Sequence, residues 1–237
     1  MEWRPNPAPT SWNTKKKNQG MRFASSEALV YSYTRRVSGK DLDKIEGMSQ
    51  KTRNRKRMKD EMWFCRRSCH RCAADTGAAS WDEFVHSFKE HHHETEERFT
   101  PTVIGAREAV TWDTTGVAVF EAFSGSGARW VDISLKVVEM KHKIDPKPLK
   151  NRTFPVVQVA ALLADTREEF LVVSVPFNYC QKSAHAEYAR DKSLAVVAYV
   201  AVERIRFLPE TGEIEWIMAT ASRGCCRNGC KIWLCLE

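Results

Sequence analysis

The chain has 237 residues, 43% hydrophobic and 28% charged, with a formal net charge of +7. That length allows one large domain or two small ones, and no apolar run approaches the roughly 18 residues needed to span a bilayer as a helix. The start of the sequence, from Met1 to Pro7, has no apolar core of the kind a secretory signal needs, which predicts a cytoplasmic or nuclear location and reduced thiols for the eight cysteines.

The charge is unevenly placed. Residues 1–72 hold 18 Lys/Arg against 7 Asp/Glu, while residues 73–237 hold 19 against 23. The basic character belongs to the N-terminal third, which weakens a nucleic-acid reading of the whole chain.

Along the chain, residues 1–20 are rich in Pro, Asn and Lys without periodicity, and are expected to be disordered. Residues 28–33 suggest a short strand, and residues 51–59 form a basic run with no apolar face. The expected organisation is a basic, largely disordered segment over 1–59, a folded domain over 60–222 and an atypical tail over 223–237. Glu61–Ser68 is the first strand expected in the folded body. Ser80 followed by Glu83 matches a capping box, and Trp81, Phe84, Val85 and Phe88 fall at i, i+3, i+4 and i+7. A helix with one apolar face is therefore predicted, running to about Glu94 and stopping before Pro101.

Strand patterns follow almost without interruption. Pro101–Trp112 and Val117–Phe123 lead into a Ser/Gly turn over 124–127. In the next run Val131, Ile133, Leu135 and Val137 alternate with Asp132, Ser134 and Lys136, a sheet with one wet and one buried face. Val157, Val159, Ala161 and Leu163 repeat that pattern, as do Leu171, Val173, Val175 and Phe177. Leu194–Phe207 is longer, and the turn Pro209–Gly212 returns it as a hairpin through Glu213–Ser222, with Ile214, Trp216 and Met218 on one face. Consecutive hairpins predict an antiparallel meander. One helix of about four turns cannot cover six strands, so the sheet curls round an interior or a second helix covers it. The fold class expected is α+β, a curved antiparallel sheet gripped by one main helix.

Chemistry-bearing residues are weighed against plainer readings. Cys65, Cys69, His70 and Cys72 include one C-x-x-C pair, and zinc needs about four such ligands; a second pair could come from Cys225, Cys226, Cys230 and Cys235, but no second C-x-x-C exists, so free thiols are expected. Adjacent histidines at 91–93 point about 100° apart on a helix and cannot all hold one ion; a solvated helix end is expected. Lys51, Arg53, Arg55, Lys56, Arg57 and Lys59 could contact an anionic membrane surface or nucleic acid, although a solvated linker is the plainer reading. Glu203 and Arg204 lie mid-strand, either as a charge pair inside the cup or as an outward ion pair. No P-loop, G-x-S-x-G or dinucleotide fingerprint is present.

The segments Trp63–Ser68 with His70, Thr76–Phe84, Arg98–Val103, His142–Pro146 with Arg152–Phe154, Phe170–Pro176, Val202–Arg206 and Glu215–Ser222, taken in order, resemble a fungal domain family of unknown function. That family is placed in the START-like superfamily of lipid-transfer-related proteins. The resemblance covers roughly residues 60–222 and implies a helix-grip fold around an apolar interior. It also implies that the long C-terminal helix of the family is missing here, because Cys225, Cys226, Cys230 and Cys235 follow instead. A truncated domain, produced by an altered reading frame or splice boundary near Ser222, is the resulting expectation.

The function expected is non-catalytic binding of a lipid or hydrophobic small molecule. Val131, Ile133, Leu135, Val137, Val173, Val175, Trp216 and Met218 are expected on the inner face, with Glu203 and Arg204 orienting a polar group. No catalytic residue, metal or cofactor is expected. The alternatives are a cyclase-like enzyme in the same cup, with Tyr199, Glu203 and Arg204 as nominees, and an interaction or nucleic-acid-associated protein using the basic run.

Overall fold

The computed structural model describes residues 20–22, 26–42, 60–117, 119–121, 128–146, 148–177 and 184–223. The basic run over 51–59 and the cysteine-rich tail from 224 lie outside these residues, as do nearly all of residues 1–20.

In chain order the elements are β1 (Met21–Arg22), β2 (Leu29–Val37), a short helix α1 (Gly39–Leu42) and β3 (Glu61–Arg71). A helical segment follows, made of α2 (Trp81–Phe84), a π turn (Val85–Glu90) and α3 (His92–Phe99). Then come β4 (Val103–Trp112), β5 (Phe120–Glu121), β6 (Arg129–His142), β7 (Arg152–Leu163), β8 (Glu169–Pro176), a 3-10 turn (Tyr188–Arg190), β9 (Ala195–Val196), β10 (Ala198–Leu208) and β11 (Glu213–Arg223).

The described strands form one sheet in the order β1-β2-β3-β11-β10-β8-β7-β6-β4, with β5 beside β6 and β9 beside β7. All pairings are antiparallel except β7 with β9. The meander expected from the hairpin spacing runs through β6, β7, β8, β10 and β11. The turn at its last hairpin closes with Gly212 at φ +66°, its N–H donating to the Leu208 carbonyl at 2.8 Å. None of the described helices is long and apolar enough to cross a membrane.

The connection from β3 to β4 decides the architecture. β3 sits near one end of the sheet and β4 forms the other edge. The segment from Trp81 to Phe99 therefore crosses one face, hereafter the helix side. The predicted capping box starts it: Ser80 Oγ accepts from the Glu83 N–H at 3.2 Å, and the Ser80 N–H donates to Glu83 Oε2 at 2.7 Å. The predicted apolar stripe faces the sheet. Phe84 is buried with Leu162, Phe170, Val172, Ile205 and Ile214, and Trp81, Val85 and Phe88 pack against them.

The helix differs from its prediction in two respects. It reaches Phe99 rather than Glu94, and a π turn interrupts it. The turn ends on His91 at φ −118°, ψ 36°, whose N–H donates to the carbonyl of His86 five residues back. A π turn inserts one extra residue, so everything after it is rotated relative to a continuous α-helix.

A second irregularity resets β6. Val131 opposes Leu162 and Ser134 opposes Ala160, so two residues of β6, Asp132 and Ile133, stand against one of β7, Ala161. Asp132 takes the left-handed conformation at φ 54°, which Asp tolerates better than most residues. Its carboxylate accepts from Lys89 Nζ at 2.9 Å, tying the π turn to the bulge. A bulge of one residue exchanges the two faces of the strand beyond it.

Candidate functional site

Directly opposed residues of neighbouring strands share a face, so the registers sort every side chain. On the helix side, β7 presents Leu162, Ala160, Gln158, Val156 and Phe154. β8 presents Phe170, Val172 and Ser174, and β10 presents Phe207, Ile205, Glu203, Ala201 and Tyr199. Two apolar clusters result. One contains Phe170, Val172, Ile205 and Ile214 under Phe84. The other contains Val138, Met140, Phe154, Val156, Val197, Tyr199 and Ala201. Between them a polar belt crosses the sheet. Lys136 opposes Gln158 and Gln158 opposes Ser174, while Glu203 stands two residues along from Ala201, the partner of Ser174.

The helix delivers the central group of the belt. His92, 8% exposed, donates from Nε2 to Glu203 Oε1 at 2.8 Å. The other carboxylate oxygen accepts from the Trp216 indole N–H at 3.0 Å. Glu96, one turn further along α3, brings a second carboxylate oxygen to 3.7 Å from His92 Nδ1, and the Gln158 amide lies 3.3 Å from the same nitrogen. Gln158 also reaches Ser174 Oγ at 3.4 Å. Phe88 packs tilted against Trp216 and meets the His92 ring edge-on, which walls the group on its apolar side.

Burial works against charge on His92, but the Glu203 carboxylate, through its charge and hydrogen bond, and Glu96 outweigh it and hold the imidazole at about 9. Burial, and less strongly the neighbouring Glu203, raise Glu96, although His92 opposes the shift. Tyr199 is pushed well above its ordinary range by burial and then by Glu96 and Glu203, so its hydroxyl stays a neutral donor. Among the described residues, that hydroxyl has no hydrogen-bond partner, and the Glu96 carboxylate has only the long contact to His92. The arrangement presents free hydrogen-bonding capacity beside an apolar cluster.

The sequence-predicted residues divide between the two faces. Trp216 and Glu203 join the belt, Met218 opposes Glu203 on the same side, and Val131 packs against the Phe84 cluster. Ile133 falls inside the bulge, where its carbonyl accepts from Thr114. Leu135 and Val137 stand on the far face, opposite Val159 and Val157, because the bulge exchanges the faces; Val137 packs there with Ala186 and Ala189. Val173 and Val175 also stand on the far face, and Val175 is 47% exposed. Their neighbours Val172 and Ser174 hold the helix side. Glu203 and Arg204 do not pair inside the cup: the pleat sends Arg204 to the far face, where it makes a bidentate pair with Glu169 at 2.8 and 2.6 Å. Tyr199 lies on the helix side.

The histidines need correction. His92 and His93 are buried rather than solvated, because the π turn rotates α3 so that His92 points at the sheet. Sequence reasoning also missed Glu96, Gln158 and Ser174. Gln158 sits in a run, Val156–Leu163, that is otherwise apolar in both phases, and this lone polar residue was the available signal. The cysteine cluster is split by the pleat of β3. Cys65 and Cys69 share one face with Glu215 and Ala219, whereas His70 sits on the other, edge-on to Phe84. Cys65, Cys69 and Cys72 are free thiols, and burial pushes Cys65 up to about 11, so it is not a ready nucleophile.

The belt and both apolar clusters are built from β6–β11 and the helical segment, and the sequence profile of one family matches residues 63–225, from β3 through the end of β11. The chain belongs to the family described as protein of unknown function (DUF3074). The match includes every belt residue named above, so the polar belt lies wholly inside the DUF3074 domain. No curated protein matches the chain.

Proposed function

We propose that this DUF3074 domain holds a lipid or hydrophobic small molecule non-covalently on the helix side of its sheet, in the manner of START-like helix-grip proteins. The ligand's apolar body inserts at the cluster of Val138, Phe154, Val156 and Ala201, which are 0–3% exposed, so binding requires that cluster to open. Its polar end accepts a hydrogen bond from the Tyr199 hydroxyl beside the Glu96 carboxyl group, which suits a carbonyl, an ester or a hydroxyl. Apolar burial at about 25 cal/mol per Å² supplies affinity, and the belt fixes orientation. The single observation that carries this reading is the hydrogen-bonding capacity left open at Tyr199 and Glu96, beside an apolar cluster and next to the His92–Glu203 pair.

The test is native mass spectrometry of the purified chain, followed by titration with a panel of lipids. A bound amphipathic molecule is expected, retained less well by Tyr199→Phe and Glu96→Gln. A protein that is empty as purified and fails to bind the whole panel would sink the proposal. A second reading, an enzyme of the cyclase or hydratase type in the same cup, is favoured by His92 standing between two carboxylates. Turnover of a polyketide-like substrate that is abolished by Glu96→Gln would select it.

A further inference from the structure

The π turn has a consequence on its solvent side as well as its buried side. Five residues apart on an α-helix, two side chains diverge by about 140°. The bond from the His91 N–H to the His86 carbonyl, 3.0 Å, instead closes a five-residue repeat and stacks the two positions. Their imidazole rings are 4.6 Å apart between centroids. Glu90 joins them, with a carboxylate oxygen 3.6 Å from His86 Nδ1. One ligand atom from each of His86, Glu90 and His91 lies within 4.8 Å of the other two. All three side chains reach solvent, at 63%, 51% and 45% exposure.

We propose that His86, Glu90 and His91 form a binding site for one borderline divalent cation of the Zn²⁺ class. Two imidazoles and one carboxylate are the mixed nitrogen and oxygen set such ions favour over Mg²⁺ or Ca²⁺. Binding would draw the three ligand atoms in to the 2.0–2.2 Å expected for zinc. Glu94, whose carboxylate is 3.4 Å from His91 Nδ1, fixes that ring from the other side. No hydrogen bond of the belt is broken, because His92 faces inward while His91 faces out. The ion would clamp the π register and, with it, the rotation that delivers His92 to Glu203. The site is independent of the ligand proposed above.

Isothermal titration of the full chain with Zn²⁺, set beside Co²⁺ absorption spectroscopy, tests the site. One cation is expected to bind, and its Co²⁺ form is expected to lack the thiolate charge-transfer band that cysteine ligands would give. Since loss of a supporting group alone costs about 10–100-fold in metal affinity, His86→Ala and His91→Ala should each weaken Zn²⁺ by at least that much. In the unsubstituted protein, Zn²⁺ should protect His86 and His91 from diethylpyrocarbonate while leaving the exposed His185 reactive, which needs no variant to fold. Absence of binding, a thiolate band, or affinity unchanged in the His86→Ala/His91→Ala double variant would each overturn the proposal.

Discussion

Two buried acids on opposite faces of the sheet, Glu139 and Glu203, are 0% and 2% exposed and have opposite surroundings. Glu139 stands on the far face and is saturated. Arg107 Nη1 donates to it at 2.6 Å, and the N–H groups of Glu187, Tyr188 and Ala189 donate at 3.0, 3.1 and 3.0 Å. Four donors match the roughly four lone-pair sites of a carboxylate, so Glu139 is a latch that pins the 184–190 segment to β6. Glu203 takes only two donors, an imidazole and an indole, and its neighbours Glu96 and Tyr199 keep unused capacity. A buried acid with every lone pair taken has no capacity left for a ligand. One in a partly open network retains it, and that distinguishes the candidate site from a structural ion pair.

The largest effect should come from breaking the saturated acid. Glu139→Ala strands Arg107 and three amides, and should cost on the order of 5 kcal/mol in urea unfolding, with faster amide exchange at 187–189. A loss below about 1 kcal/mol would mean the latch contributes little. Glu203→Ala leaves fewer partners unpaired and should cost about 3 kcal/mol. The sharper comparison is His92→Phe with Glu203→Leu: replacing a buried pair by apolar groups should recover stability to within about 1 kcal/mol, while ligand retention stays lost. Recovery of both together would show that the belt serves packing alone.

A further prediction concerns pH. Burial lowers His142 to about 4, its ring edge-on to Phe154 at 4.9 Å. The unfolded chain binds that proton near 6.5, so the fold is favoured above 6.5 and loses stability as pH falls toward 4. The loss amounts to on the order of 3 kcal/mol, complete below about 4. His142→Phe should flatten that part of the stability profile; an unchanged acid limb would assign it to other groups. The smallest effect on stability should be that of Tyr199→Phe, below about 1 kcal/mol because its hydroxyl has no partner to lose. Lost ligand retention with unchanged Tm is the expected signature, and an unaltered ligand complement would move the polar end of the ligand elsewhere.

Much of the fold was legible in the sequence, because its signals are local. Ser80 with Glu83 marked the helix start through two hydrogen bonds spanning three residues. The hairpin of β10 and β11 followed from its turn residues, and each strand pattern over 131–222 matches a strand of the meander. The assignment of faces was less legible. Val157, Val159, Val173 and Val175 make a clean apolar alternation, yet they stand on the far face. The helix side of the same strands carries Gln158 and Ser174, whose polarity hides the buried phase. In β6 the alternation was real, but the bulge at Asp132 exchanged its faces midway.

By itself the sequence determined an α+β chain with one capped amphipathic helix ahead of an antiparallel meander, since capping, turn chemistry and period-2 patterning act over a few residues. Only the tertiary structure decided which face the helix crosses and that His92 meets Glu203 from 111 positions away. That meeting depends on two one-residue irregularities, the π turn at Val85–Glu90 and the bulge at Asp132, joined by Lys89. Each inserts one residue into a periodic element and rotates or inverts all that follows, a geometric outcome that residue-by-residue polarity does not encode.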